Sequence, residues 1–314
     1  MDSTNNPADG PHLFMHRHRP QWGAALLVRQ GQQRVTYQFQ DGRQRTFRRE
    51  FAEMFEPIEE PAEGLVSNIR ARNNATIRRE KSPPVMSFAE QIQVFKSMFP
   101  GGFSDAEYLL AWRGQEGRPL KQHLDPDLVR AKELMSKSRM ETFIKNGDFS
   151  KVVDDFIAVF SGSALIRPSR ELQPLRDLEE GNYSTLADSL FILLHDEAPI
   201  QERIQQWVIA LEQLGLPLTW AMVTVPGALF QPSIAIYIRE RPLAEQSRIV
   251  GKGGPPGRLP SPTGYMRAHT TIAATLDRLK EAEMKPVDLL DVYVFIWETL
   301  RPRGRAALAA LKAA

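Results

Sequence analysis

From Gln33 to Gln40 the chain alternates, with Val35, Tyr37 and Phe39 on one side and Thr36, Gln38 and Gln40 on the other. A period of two predicts a half-buried strand. Asp41-Gly42 follows, a pair that predicts a tight hairpin turn because glycine reaches positive φ without a steric cost. The return strand is Arg43 to Arg49, read with arginine at nearly every outward position. Upstream, Trp22 to Arg29 predicts another strand, joined to the hairpin through Gln30-Gly31-Gln32. Short strands and tight turns in so small a segment predict a β-barrel over residues 13–58, preceded by a disordered tail at 1–12.

The pattern then changes twice. Residues 56–87 lose periodicity, carry Pro57, Pro61, Pro83 and Pro84, and pass from an acidic to a basic run, so residues 59–86 read as a linker or a wrapped arm. From Ser87 the period becomes helical. Ser87 with Glu90 three residues on forms a capping-box signature, and Phe88, Ile92, Phe95 and Phe99 share one face. Further helices are predicted at 104–113, 125–146, 149–160, 170–180, 184–195, 200–214, 265–282 and 286–300, each bounded by Gly, Pro, Ser or similar breakers. Two short β-branched stretches, Leu218 to Val225 and Ile234 to Ile238, read as a possible β-hairpin near 218–238, with a buried helix start as the alternative for the first. Val250 to Gly264 reads as an irregular loop ordered by a partner or not at all. The fold class is therefore α+β: a small N-terminal SH3/Tudor-like barrel, then a mainly helical domain at 87–314.

Charge sharpens this picture. The chain's formal net charge is +2, yet from Arg17 to Glu50 eight arginines face Asp41 and Glu50, a local balance of +6. Arg70, Arg72, Arg78, Arg79 and Lys81 extend the basic character. The absence of cysteine excludes disulfides, thiolate nucleophiles and thiolate-ligated metals, and fits a cytoplasmic location. Residues 1–11 have no apolar core of a secretory signal. No window approaches about 18 consecutive apolar residues, so a membrane is not an expected partner.

The run His18, Trp22-Gly23, Leu27, Val35, Phe39, Asp41-Gly42, Phe47 and Phe55-Glu56-Pro57 resembles the Tudor-like barrel at the C-terminus of UvrD-type helicases. It is similar, more distantly, to the RNA-polymerase-interacting domain of the CarD transcription factors. The resemblance covers residues 14–57 and implies docking on RNA polymerase or another partner in transcription or repair, without chemistry of its own. Ala25 stands where a second glycine is common, and the outer strand is richer in arginine than docking requires. Leu218 to Pro232 and Pro286 to Trp297 resemble uncharacterised bacterial proteins, from which no activity follows.

Arg17, Arg19, Arg29, Arg34, Arg43, Arg45, Arg48 and Arg49 are the candidate nucleic-acid contacts, with Arg70, Arg72, Arg78 and Arg79 in the arm. Guanidinium groups along adjacent strands can meet phosphates in a row and release counterions. The competing reading is a solvated face whose charge protects the sheet edges. Trp22, Tyr37 and Phe47 are candidates for base stacking, but their inward phase reads as core. His12, His16 and His18 lack further metal ligands and read as a basic arm. Gly251-Lys252-Gly253-Gly254 lacks the order of a phosphate loop, although Lys252 and Arg258 remain candidate phosphate contacts. Asp154 with Asp155, and Asp288 with Asp291, have no third group that would complete a nuclease site. Ser161-Gly162-Ser163 lacks the context of a hydrolase elbow. No catalytic residue, metal or cofactor is expected. The expected function is binding to DNA or RNA polymerase. The alternatives are a nucleic-acid-processing enzyme of repair or phage defence, and a scaffold in a larger complex that binds an acidic protein surface.

Overall fold

The computed structural model describes residues 13–31, 33–40, 44–58, 66, 69, 86–114 and 122–313. The chain divides into two compact units, Met1–Pro83 and Pro84–Ala314. The first holds an antiparallel sheet and the second is helical, an α+β organisation.

In the first unit, β1 (Leu13–His16), β2 (Ala25–Gln30), β3 (Arg34–Phe39), β4 (Gln44–Arg48) and β5 (Phe55–Pro57) form one sheet in the order β4-β3-β2-β1-β5. All neighbours are antiparallel. Trp22 belongs to a single turn, Pro20–Trp22, so the strand predicted from that residue starts at Ala25 instead. Gly23 takes φ 73° after the turn, where an added Cβ would also meet the Gln40 side chain at 2.9 Å. A second short helix, Arg49–Met54, carries the chain from β4 to β5. Among the described residues nothing pairs β4 with β5, so the sheet is open where a closed barrel was expected. The Asp41-Gly42 turn lies outside the described residues, as do residues 1–12.

The middle strand β2 packs apolar residues on both faces, which explains its unbroken run Ala25 to Val28. One face packs Val35, Tyr37, Phe39 and Phe55 with Phe14, Trp22 and Phe47. Tyr37 stacks on Phe55 with ring centroids 4.0 Å apart. The other face gathers Leu13, Ala24 and Leu26 with Ile58, Val66 and Ile69. Ile69 is fully buried there, so this part of the segment read as a linker packs against the sheet. The rest of 59–85 lies outside the described residues.

The helical unit opens with α1 (Phe88–Met98), where the capping box forms: Glu90 N–H donates to Ser87 Oγ at 3.2 Å and Ser87 N–H donates to Glu90 Oε2 at 2.6 Å. Next comes α2 (Ala106–Tyr108), which runs into a π-helical turn at Leu109–Arg113. The helix expected over 125–146 is two, α3 (Leu124–Leu134) and α4 (Lys137–Lys145), divided where Ser136 turns extended and bonds Glu133 O. Then follow α5 (Phe149–Gly162), a π turn at Pro168–Leu172 with α6 (Gln173–Arg176), α7 (Tyr183–His195) and α8 (Ile200–Gln213). The chain ends with α9 (Trp220–Phe230), α10 (Glu240–Val250), α11 (Pro262–Glu281), α12 (Leu289–Leu300) and α13 (Pro302–Ala313).

The hairpin expected near 218–238 is absent. Its first half is α9, begun by Thr219, whose hydroxyl accepts the Met222 N–H at 3.1 Å. Of its second half, Ile234 is an exposed turn residue and Ala235 to Ile238 are buried, but none of them belongs to a strand. The Ile238 N–H donates instead to the Thr224 hydroxyl at 3.2 Å, and the Ile236 N–H to the Tyr265 hydroxyl at 3.5 Å. β-Branched composition reported burial here, not pairing. Among the described residues no helix is long and apolar enough to cross a membrane.

Candidate nucleic-acid interface

The arginines of the hairpin do not form one outward row. In the β3–β4 register Arg34 lies opposite Arg48, Thr36 opposite Thr46 and Gln38 opposite Gln44, so these residues share a face. The two threonine hydroxyls bond each other at 2.9 Å. Arg45 sits two positions before Phe47 and therefore on the aromatic face. Its guanidinium lies 4.5 Å from the centres of both the Trp22 and Phe39 rings. The expectation of arginine at nearly every outward position fails at Arg45, which shares the strand parity of Phe47.

Arg17 is exposed and pairs with Glu56 at 2.8 Å, and exposed Arg48 reaches Glu50 at 3.5 Å. Exposed pairs of this kind are worth little and exchange readily with other anions. Arg19 and Arg49 are exposed. Arg29 stands in β2 opposite Thr36. Arg43, Arg70, Arg72, Arg78 and Arg79 lie outside the described residues.

His16 is not part of a flexible arm. It is a buried β1 residue, edge-on to Trp22 at 5.0 Å and to Phe55 at 4.9 Å. Its Nδ1 accepts the His18 N–H at 3.2 Å. Burial, with the nearby His18 charge, lowers its pKa and favours the neutral ring. His12 lies outside the described residues. Tyr37 is buried and Trp22 and Phe47 partly so, which leaves these rings to the core cluster.

In the helical unit, Lys252 and Arg258 are exposed on the loop between α10 and α11. That loop is irregular but packed, not free: Trp220 Nε1 donates to Gly257 O at 2.7 Å and Thr271 Oγ1 to Lys252 O at 3.1 Å. The carboxylate pairs have partners of their own. Arg139 grips Asp155 at 2.6 and 3.1 Å. Arg113 grips Asp288 at 2.9 and 2.8 Å and gives its Nε–H to Asp291 at 2.9 Å. Tyr108 also donates to Asp291. A guanidinium occupies the place a metal would need, and among the described residues no group of three or more His, Asp or Glu could hold one. Ser161 and Ser163 bond within their own turn, Ser161 Oγ to Ala158 O at 3.1 Å and Leu165 N–H to Ser163 Oγ at 3.3 Å.

One cluster escaped the sequence. Arg239 lies over the Trp297 ring at 4.6 Å and donates through Nε to the Tyr237 hydroxyl at 3.2 Å. Its sequence signal is faint: a lone arginine at the end of the apolar run Ile234 to Ile238. No family model, curated protein or solved structure matches the chain.

Proposed function

We propose that the N-terminal unit is a nucleic-acid-binding module of SH3/Tudor-like type, which neutralises phosphates through the face that carries Arg34 and Arg48. The observation behind this reading is their register: two like charges stand directly opposite across β3–β4. Two guanidinium groups so placed can be bridged by one anion laid across the strands. Arg29, Arg43 and Arg49 extend the same basic segment, and Thr36 and Thr46 offer hydroxyls beside it. The strand order, in which β5 returns to β1 after a short helix, supports the SH3-like reading. Contacts of this type fix position on a strand and carry little base information.

A second reading has its own observation. Met15 and Phe51 are both 39% exposed, and both belong to the first unit. Exposed apolar side chains beside a short edge strand suit docking on a protein, which is the RNA-polymerase contact that the Tudor-like resemblance implies.

Binding of the full chain to a labelled 30-base-pair duplex at rising salt separates the two. The nucleic-acid reading expects a steep salt slope that Arg34→Gln/Arg48→Gln flattens. A folded wild-type chain that ignores the duplex but retains RNA polymerase would replace it with the second reading.

A further inference from the structure

The Arg239 cluster has the features of a preformed anion receptor. Tyr237 is buried, donates to Leu165 O at 3.1 Å, and accepts the Arg239 Nε–H at 3.2 Å. Trp297 supports one face of the guanidinium at 4.6 Å. Together these contacts fix the plane and direction of a side chain that would otherwise sample many rotamers. The Nη edge, the part of the fork that grips oxyanions, has no hydrogen-bond or ion-pair partner among the described residues.

Further arginines lie near the two tyrosines of the cluster. Arg167 lies within electrostatic reach of Tyr237, and Arg301 within reach of Tyr293, whose ring meets Tyr237 edge-on at 4.7 Å. Arg170 lies 3.8 Å from Glu171, and Arg303 is within electrostatic reach of Glu298. Two acids oppose them, both buried and both already engaged. Glu171 accepts the Arg167 N–H at 2.9 Å, and Glu298 lies against Arg301 at 2.5 Å. Glu171 tempers the field at Arg239 but does not reach its fork as an ion pair.

We infer that Arg239, oriented by Tyr237 and Trp297 and assisted by Arg167, is a binding site for the oxyanion of a phosphate ester. A planar fork with a free edge matches two phosphate oxygens at once, which an ammonium group cannot do. The site lies in the helical unit and is independent of the arginines of the sheet. It gives this unit a ligand of its own, either a nucleotide or the backbone of a strand.

The test uses the full chain carrying Arg34→Gln/Arg48→Gln, so that the sheet does not mask the signal. Adenosine monophosphate and a 12-nucleotide single strand are titrated separately by calorimetry. At least one probe is expected to bind, and Arg239→Gln to weaken it by about tenfold or more, with Arg239→Lys in between. Binding of the mononucleotide marks a nucleotide site; binding of the strand alone marks a backbone contact. Thermal melts confirm folding, and Arg167→Gln, at an exposed position, is the second variant if Arg239→Gln unfolds. Equal affinity in Arg239→Gln and its parent, or no binding of either probe by the folded parent, overturns the inference. Neither result bears on the sheet, whose duplex test uses intact Arg34 and Arg48.

Discussion

The indole N–H of Trp207 donates to the carbonyl of Met222 at 3.2 Å. This carbonyl lies four residues before Pro226, which sits inside α9 and has no N–H to offer it. The indole of α8 thus supplies the bond that the proline withholds, in a position shielded from water. Trp207→Phe keeps most of the ring but orphans the carbonyl, at a cost of about 1–3 kcal/mol. Pro226→Ala restores a backbone donor, so the same tryptophan change is expected to cost less in that background. Urea unfolding of the four chains measures the coupling, and strict additivity would refute it.

Arg113 joins the π turn after α2 to the start of α12, and the three acids around it are Asp288, Asp291 and Asp125. Burial pushes the Asp291 carboxyl upward while the guanidinium opposes the shift. Arg113→Met would leave buried negative charge without compensation, a loss of about 3–5 kcal/mol near neutral pH. The sign with pH follows. The folded-state pKa of the carboxyl already lies above its unfolded value and rises further without the guanidinium, so the deficit is greatest above that pKa and shrinks as acid protonates the group. Adding Asp291→Asn to Arg113→Met should recover part of the loss at pH 7. Chemical denaturation of both variants at pH 5 and pH 7 checks both statements.

Strand parity makes Arg45 and Arg48 separable by experiment. Arg45 lies on the Trp22 and Phe39 rings, so Arg45→Gln is expected to destabilise the sheet by roughly 1–2 kcal/mol and leave the salt slope of duplex binding nearly intact. Arg48→Gln should do the reverse: little change in stability, because its Glu50 pair is exposed, and a slope lower by about one. Unfolding curves and salt titrations of the two variants would reverse this assignment if Arg48 proved the stabilising residue.

What could be read in advance was local. The alternation Val35, Tyr37, Phe39 and the Ser87–Glu90 box each report on residues a few positions apart, and both appear as expected. The position of Arg45 was also legible, since it shares parity with Phe47, but counting charge along the strand hid its face. The failures depend on partners far along the chain. The run Leu218 to Val225 becomes helix through a cap at Thr219, and the indole of Trp207 makes its proline tolerable. The sequence sets Asp288 and Asp291 aside as metal ligands, but their actual partner, Arg113, stands 175 residues before Asp288 and could not be named. Arg239 gives no local sign of the aromatic support it receives from Trp297.

His16 links the sheet to pH. Its neutral ring packs among Trp22, Phe47 and Phe55, and its pKa lies below the ordinary value of 6.5. A histidine depressed on folding contributes stability that is complete above the unfolded pKa and lost as pH falls through the folded one. The first unit is therefore expected to weaken on acidification below about pH 6.5, before its carboxylates protonate. His195 and His269 are also lowered by burial, so the whole chain will show a composite slope. His16→Phe isolates the contribution: it keeps an aromatic ring in the cluster, cannot charge, and should flatten the acid limb for the sheet alone. A ring-proton titration by NMR, with the His16 signal assigned by its loss in the variant, gives the folded pKa directly. A value above 6.5 would reverse the sign of the dependence and with it the reading of His16 as a neutral core residue.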